Sequence, residues 1–404
     1  MNGKLFKIKT FGCKVNQYET QVIREALLRK GYQEADSKEQ ADICIVNTCT
    51  VTQKADRECR EALRRFIREN PKAKVIAAGC YVEKDKNLIQ AIDPKIELLK
   101  NSDKITYFTT SKENKVQNNS ISGFKGHTKA FVKIQDGCDN FCSYCKIPYV
   151  RGRSKSRLPE HIISEAKVLI KNNYKEIVLT GICLGGFGKD LNDIDLADLI
   201  NDICLIEGDY RIRLSSIELQ DVSDKLVATI KSSSKICNHL HIPLQSGDNR
   251  ILKAMNRKYS IEDFIDRVNF LRLEITDIAI TTDVIVGYPE ETEEEFNNTI
   301  KTLKTIKPSR AHIFKYSPRE GTKAFLLKDN ISKSEKARRF KTLKAITDKY
   351  ANEFKERLKG KTKRILVETT RDKTTGKLTG YSDEYIRIFF DGPDSIMGSL
   401  YNKK

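Results

Sequence analysis

No stretch of about 18 apolar residues occurs anywhere in this chain of 404 residues, which excludes a hydrophobic membrane-spanning helix. The start, Met1-Asn2-Gly3-Lys4-Leu5-Phe6-Lys7, lacks the apolar centre of a secretory signal and runs straight into a strand-like pattern. A cytoplasmic protein without membrane contact is therefore expected. Histidine is scarce. His127, His161, His239, His241 and His312 stand at no metal-ligand spacing, so none is assigned a catalytic role.

Cysteine, by contrast, is plentiful, with eleven residues. In a reducing compartment that number points to metal binding or catalysis rather than to disulfides. Three thiols fall within eight residues, in Gln135-Asp136-Gly137-Cys138-Asp139-Asn140-Phe141-Cys142-Ser143-Tyr144-Cys145, a C-x3-C-x2-C run. Three thiolates can hold three irons of a [4Fe–4S] cube and leave the fourth iron open to a small molecule. A zinc site would want a fourth Cys or His at a recognisable spacing. The nearest histidines are His127, in a Gly/Lys stretch, and His161, beyond an Arg/Ser/Lys stretch.

The length suggests two or three domains, and a hydrophobic content of 39% is ample for packed cores. Residues 1–100 alternate strand and helix patterns. Strands are expected at Phe6–Thr10, Ile43–Asn47 and Lys74–Ala78, with helices at Gln21–Lys30 and Ala55–Glu69. Such βα alternation implies a parallel sheet in a Rossmann-like α/β domain. Each strand is followed within a few residues by a cysteine: Cys13, Cys49 and Cys80. All strands of a parallel sheet end on one edge, so these three thiols are expected to converge there as a second three-cysteine iron–sulfur site. The other cysteines, Cys44, Cys59, Cys183, Cys204 and Cys237, read as small buried hydrophobes.

Residues 101–127, which include Gln117-Asn118-Asn119-Ser120, are rich in Ser, Asn, Lys and Gly and read as a linker. From 128 to 330 a strand–helix count begins again. Strands are expected at Phe131–Gln135, Glu176–Leu179, Arg211–Ser215, His239–Pro243, Ile278–Val286 and Arg310–Tyr316, with helices such as Glu160–Lys171, Ile261–Leu273 and Glu291–Thr305. Six βα units fit a partial (β/α)6 barrel whose mouth carries the Cys138 loop. Ser334–Lys359 reads as a long basic helix over 331–360, and Lys363–Glu368, Tyr385–Phe390 and Ser395–Leu400 as strands of a small β-domain over 361–404.

The formal charge is +18, and the residues from Ile331 onward hold 19 Lys/Arg against 10 Asp/Glu. Half the excess in under a fifth of the chain suits a polyanion-binding surface. Candidate contacts to such a partner are Arg151, Arg153 and Arg157 in Arg151-Gly152-Arg153-Ser154-Lys155-Ser156-Arg157, and Lys363 and Arg364; a solvated loop is the plain alternative for the first run.

The C-x3-C-x2-C run with an aromatic before its third cysteine resembles the radical S-adenosylmethionine (SAM) superfamily. The whole order of domains resembles the methylthiotransferases of that superfamily. The stretches that carry the resemblance are Phe11-Gly12-Cys13-Lys14-Val15-Asn16-Gln17-Tyr18-Glu19, Asn47-Thr48-Cys49-Thr50-Val51-Thr52, Gly79-Cys80, Gly137 to Cys145, and His241-Ile242-Pro243-Leu244-Gln245-Ser246-Gly247. Lys14-Val15-Asn16 and Thr180-Gly181-Ile182-Cys183-Leu184-Gly185-Gly186 resemble the branch acting on N6-threonylcarbamoyladenosine at position 37 of tRNA. The resemblance implies an abbreviated TRAM-like C-terminal domain and two [4Fe–4S] clusters, on Cys13/Cys49/Cys80 and on Cys138/Cys142/Cys145. It also implies two SAM molecules per turnover.

In that scheme the second cluster cleaves SAM, the resulting radical takes hydrogen from adenine C2, and the first cluster presents sulfur. Tyr144 is the implied aromatic neighbour of SAM, or else a wedge for the cysteine loop. Gly181, Ser215, Glu218 and Gln245, at or beyond strand ends, are candidates for contacts to the SAM amino-acid and ribose groups. Leu184-Gly185-Gly186 departs from the Gly-Gly-Glu run of many superfamily members. The expected partners are tRNA and a flavodoxin or ferredoxin, and the expected state is a monomer. The alternatives are methylthiolation of isopentenyladenosine in tRNA, methylthiolation of a ribosomal-protein aspartate, and a non-catalytic two-cluster electron carrier. Protein purified without oxygen is expected to hold about eight irons per chain; iron analysis returning about four would remove one of the two sites.

Overall fold

The structure is a computed structural model and describes residues 3–110, 120–192 and 194–404. The chain forms two compact units. One comprises residues 1–125 with 136–139 and 145–153; the other comprises 126–135, 140–144 and 154–404.

The first unit is built on a five-stranded sheet in the order Gln33–Glu34, Leu5–Thr10, Ile43–Thr48, Lys74–Gly79, Glu97–Leu99, every pair parallel. The central strand carries an apolar run at its start, as a strand covered on both faces should: Cys44, Ile45 and Val46 are fully buried, and the polar Asn47 and Thr48 that end it are buried too. Helix Gln53–Glu69 buries Cys59, Ala62, Leu63 and Phe66 and turns its arginines outward. The first helix spans Lys14–Arg29, starting earlier than its apolar spacing suggests. Its first turns bury the polar residues Asn16, Glu19, Thr20 and Gln21, which hide the helical period. The expected linker is ordered at its start, where Lys104–Thr109 is a helix of this unit. Ser122 N also donates to Glu25 at 2.9 Å, while 111–119 lie outside the described residues.

The second unit contains an open barrel. Its six parallel strands run Ala130–Lys133, Glu176–Thr180, Arg211–Leu214, His239–His241, Ala279–Val286 and Arg310–Lys315. They form two three-stranded sheets joined where Ile212 pairs with Ile236 and Ser216 with His241. The helices between them carry strong caps: Ser260 and Thr292 each form a capping box with Asp263 and Glu295. The long helix is Lys333–Leu358, capped by Ser332.

The C-terminal sheet is antiparallel, in the order Arg387–Phe390, Leu378–Ser382, Lys363–Val367, Leu400–Lys403. Two expectations fail here. Residues 394–396 form a single 3₁₀ turn, and the last strand begins only at Leu400. Leu378–Ser382 was not expected as a strand because Gly380 interrupts it. A Cβ there would stand 2.3 Å from the Leu366 carbonyl oxygen of the adjacent strand, so only glycine fits.

A buried charge cluster fastens this sheet to the foot of the barrel. Glu176, the first residue of its strand and 1% exposed, accepts from Arg211 Nε at 2.7 Å and Arg213 Nε at 3.1 Å. Arg211 also donates to the Tyr381 carbonyl and Asp383, and Arg213 to the Ser382 carbonyl. Burial opposes the Glu176 charge, but the two guanidinium groups hold its carboxyl well below the usual range. A depressed folded-state pKa contributes stability above the unfolded value that is lost as pH falls below it. Glu176→Gln is therefore expected to cost about 3–5 kcal/mol at neutral pH, read from denaturant midpoints. The difference from wild type should shrink below pH about 4.3, where the unfolded carboxyl binds its proton.

Candidate functional site

The first unit brings Cys13, Cys49 and Cys80 to one sheet edge, and the sequence around each explains how. Thr10 pairs with Asn47 and Thr48 with Gly79, so the three strands end level. Buried Asn16 donates to the carbonyls of Phe11 at 2.8 Å and Thr48 at 2.9 Å, stitching the first turn to the second. Thr48 Oγ1 donates to the Ala78 carbonyl at 2.7 Å and accepts from Tyr81 N at 3.2 Å, tying the second turn to the third. Gly12 has φ +95°, and a Cβ there would lie 2.5 Å from Cys49 Sγ. Glycine is thus required between the Cys13 and Cys49 turns.

Cys13 is exposed, whereas Cys49 and Cys80 are buried. Burial, with the neighbouring Cys80 and Cys13 thiolates, pushes the Cys49 thiol up to about 11, against the lowering effect of Val51 N–H and Arg151. Three soft donors converging in this way suit an iron–sulfur group, whose ligands must be deprotonated and each of which binds a different iron. Among the described residues no three His, Cys, Asp or Glu side chains gather closely enough to bind a single metal ion.

Arg151 reaches this edge from a short helix, Ile147–Arg151, that begins two residues after Cys145. Its side chain is 1% exposed. Its Nε donates to Cys80 Sγ at 3.3 Å, and its other nitrogens meet Glu19 at 3.1 Å and Asp136 at 2.9 Å. Glu19 also pairs with fully buried Lys104 at 2.6 Å. Asn101 Nδ2 sits 3.7 Å from Cys80 Sγ and donates to the Val150 carbonyl. Arg151, expected on a polyanion-binding surface, is therefore corrected to an internal role, since its charge is already matched by Glu19 and Asp136.

Three other basic candidates are likewise engaged. Arg157 pairs with buried Glu165 at 2.7 Å, Lys363 with Glu384 at 2.6 Å, and Arg364 with Asp383 at 3.1 Å. Only Arg153 keeps an exposed side chain, 2.9 Å from Asp139. A run of arginines in sequence does not reveal which of them meet carboxylates far along the chain.

In the loop after the first barrel strand, Cys138 N donates to the Gly152 carbonyl at 3.1 Å. Cys142 Sγ accepts from Arg257 Nη1 at 3.3 Å. Arg257 also forms a two-pronged pair with Glu218, one of the expected SAM-contacting residues. Asn256 Nδ2 donates to the carbonyls of Asn140 at 2.9 Å and Phe141 at 3.1 Å, bracing the loop where Phe141 takes φ +47°. Asn256 and Arg257 escaped the sequence reading because they lie more than a hundred residues from the cysteines they support.

Tyr144 packs against Ile251, Met255, Tyr288, Tyr316 and Ala324. Gly181 sits beside Gln135, whose Oε1 would be 2.9 Å from any Cβ there. Gln245 takes φ +65° and exchanges backbone bonds with Asp283 and Ile285. Ser215 is buried, and among the described residues its hydroxyl has no hydrogen-bond partner. Of the cysteines read as buried hydrophobes, Cys44, Cys59 and Cys237 are buried, while Cys183 and Cys204 are half-buried. Among the described residues no helix is long and apolar enough to cross a membrane.

Residues 5–100 match the uncharacterized protein family UPF0004, and residues 132–303 match the radical SAM superfamily. The threonylcarbamoyladenosine tRNA methylthiotransferase MtaB of Bacillus subtilis is 38% identical over 98% of this chain and 92% of its own length. The enzyme of the same name from Thermotoga maritima is 37% identical over 96% and 92%. The tRNA-2-methylthio-N(6)-dimethylallyladenosine synthase of Thermoanaerobacter pseudethanolicus is 35% identical over 99% and 89%. Among solved structures, the radical SAM methyltransferase TsrM of Kitasatospora setae superimposes with a TM-score of 0.55 over 80% of this chain and 77% of its own, at 12% identity.

Arg151→Gln is expected to lower the denaturation midpoint by an amount equivalent to about 3–5 kcal/mol, because it strips a buried carboxylate cluster of its main counter-charge. Arg153→Gln, at an exposed side chain, should stay within about 0.5 kcal/mol of wild type. Equal effects in the two variants would contradict the internal role of Arg151.

Proposed function

The chain belongs to the radical SAM methylthiotransferase family, and we propose that its substrate is N6-threonylcarbamoyladenosine at position 37 of tRNA, which it converts to the 2-methylthio derivative. The observation that carries the chemistry is the pairing of the C-x3-C-x2-C loop with a second set of three cysteines converging at Cys13, Cys49 and Cys80. The substrate branch is supported by identities of 37–39% to the threonylcarbamoyladenosine enzymes, against 33–35% to the dimethylallyladenosine synthases. The second branch is the runner-up reading.

Cys138, Cys142 and Cys145 would hold one [4Fe–4S] group, which binds SAM, and Cys13, Cys49 and Cys80 the other. When bound, the first group supplies one-electron cleavage of SAM and the second supplies the sulfur. A base cannot do this work, because an aromatic C–H is far too weak an acid for any side chain to deprotonate.

The chain's own residues orient and shield. Arg257 donates to Cys142 and fixes Glu218 at the mouth. The Ser215 hydroxyl, without a hydrogen-bond partner among the described residues, is available to a polar group of SAM, and Gly181 and Gln245 are the further candidates for contact to it. Tyr144, packed on an apolar cluster, would contact the same ligand. Arg151 and Asn101 direct N–H groups at Cys80, which stabilises sulfur-centred negative charge. The tRNA would rest on Arg153 and on the exposed lysines of helix Lys333–Leu358 rather than on Arg151 or Arg157. A flavodoxin or ferredoxin would supply electrons to a monomeric enzyme.

The test uses the Cys13→Ala, Cys49→Ala, Cys80→Ala triple variant with tRNA that carries the threonylcarbamoyl group. It should still release 5′-deoxyadenosine from SAM while forming no methylthio nucleoside by mass spectrometry. Product formation by this variant would overturn the assignment of the two centres. Loss of methylthio-isopentenyladenosine instead, in cells lacking the gene, would overturn the substrate.

A further inference from the structure

Between the last barrel strand and helix Lys333–Leu358 the chain makes a single 3₁₀ turn, Lys323–Leu326. The sequence Lys323-Ala324-Phe325-Leu326-Leu327-Lys328 sets large apolar residues between two lysines. Such a run ordinarily belongs to a core. Here Phe325 is 46%, Leu326 84% and Leu327 38% exposed. Nowhere else among the described residues do three consecutive large apolar side chains face solvent.

The backbone holds them there. The buried Thr322 hydroxyl donates to the Arg319 carbonyl at 2.7 Å, and Phe325 N donates to the Thr322 carbonyl at 3.2 Å. Ala324, 1% exposed, points inward, into the apolar cluster of Met255, Tyr288 and Tyr316 on which Tyr144 packs. With three residues per turn, the two that follow it must project outward. Ala324 also ties the turn to the cysteine loop. Its N–H donates to the Ser143 carbonyl at 2.8 Å, and Ser143 N donates to the Met255 carbonyl at 3.0 Å. Ser143 follows Cys142 directly, so the exposed tip stands one backbone hydrogen bond from the segment that supplies that thiol. Lys323 and Lys328 are exposed, and among the described residues neither is paired with a carboxylate. The first acid beyond them, Asp329, is taken by Lys336 at 2.7 Å.

We propose that the tip 325–327, with Lys323 and Lys328, is the docking site of a flavin-bearing one-electron carrier protein with an acidic rim, of the flavodoxin kind. The proposal rests on the reading that Cys138, Cys142 and Cys145 hold a group that cleaves SAM, and it names where the electrons arrive. The carrier gives up one electron per SAM. That electron passes through the iron–sulfur group into the S–C bond that breaks, leaving methionine and a 5′-deoxyadenosyl radical. Electron transfer slows steeply with distance, so the carrier must seat against the cysteine loop. Complexes of this kind are small and short-lived, and a few apolar side chains inside a charged rim suffice for them. The apolar centre excludes water, and the lysines steer an acidic partner in. The exposed dimethylbenzene edge of a flavin is itself apolar and matches Phe325 and its leucines. An RNA could stack on Phe325, but Leu326, the most exposed of the three, offers nothing to a base or a phosphate.

The experiment follows flavodoxin binding to the iron-reconstituted full chain by surface plasmon resonance at low and moderate salt. The Phe325→Ser, Leu326→Ser, Leu327→Ser variant should bind at least about tenfold more weakly at both, the scale of one lost anchor residue. The Lys323→Glu, Lys328→Glu variant should associate about tenfold more slowly at low salt and approach wild type as salt screens the charges. With reduced flavodoxin below saturation, 5′-deoxyadenosine release should fall in the same proportion. With dithionite, a small reductant that needs no docking, both variants should match wild type. Affinity for an anticodon stem-loop should not change. All five side chains are exposed, so the fold is expected to survive, and circular dichroism checks this.

Wild-type flavodoxin affinity in both variants would overturn the proposal. So would an equal loss with dithionite, which would make the tip a prop for the cysteine loop, or a loss of RNA affinity alone, which would make it an RNA contact. A wild-type chain that releases no 5′-deoxyadenosine even with dithionite would instead overturn the reading of the cysteine centre, and flavodoxin binding would still decide the docking site.

Discussion

A parallel sheet delivers the residue after each strand to the same edge, and that constraint organises the first unit. The three cysteines come from turns separated by 36 and 31 residues, yet the register of the strands Leu5–Thr10, Ile43–Thr48 and Lys74–Gly79 sets them side by side. The register in turn depends on Asn16, Asn47 and Thr48, buried polar side chains that satisfy the exposed ends of the strand backbones. Gly12 completes the arrangement by leaving out the one atom that would collide with a neighbouring thiol. The barrel applies the same rule on a larger scale, its strands carrying Cys142, Gly181, Ser215 and Gln245 toward one mouth.

Charge in this protein has two distinct uses. Part of the excess of lysine and arginine faces solvent, as on helix Lys333–Leu358. Another part is internal and fully matched: Arg151 and Lys104 with Glu19, and Arg211 and Arg213 with Glu176. Such buried groups repay their desolvation only when every nitrogen and oxygen finds a partner, which makes them exacting specifiers of geometry rather than large net stabilisers. Both clusters join chain segments that are distant in sequence. One holds a helix close behind Cys145 against the turn of Cys80; the other fixes the C-terminal sheet to the foot of the barrel.

The three strands that lead into cysteine turns and the six of the barrel were legible because their apolar runs end in glycine, proline or cysteine turns, and the observed bounds fall within a few residues of the expected ones; the short edge strands Gln33–Glu34 and Glu97–Leu99, with no apolar alternation to mark them, were not expected. Where side chains serve the site instead of the core, the pattern misleads. Asn16, Glu19, Thr20 and Gln21 conceal two turns of the first helix, and Gly380 conceals a strand. The convergence of Cys13, Cys49 and Cys80 on one sheet edge was readable because thiols have few other reasons to recur at strand ends. Their supports were not. Arg151 looked like a surface residue from its neighbours in sequence, and Arg257 and Asn256 carry no local signature at all. The histidines were dismissed for want of spacing, yet sheet register sets His241, Asp283 and His312 together.

Enzymes that alter the same ring carbon of adenosine in two differently substituted nucleosides face a common problem. The reacting centre cannot distinguish the substrates, because the substituent on N6 lies away from the carbon that reacts. Discrimination must then come from residues that touch the substituent and take no part in bond breaking, placed deep enough to be desolvated and close enough to hold the base below the cysteine loop. A stacking ring fixes the plane of the purine, and polar groups to one side of that plane read what hangs from it.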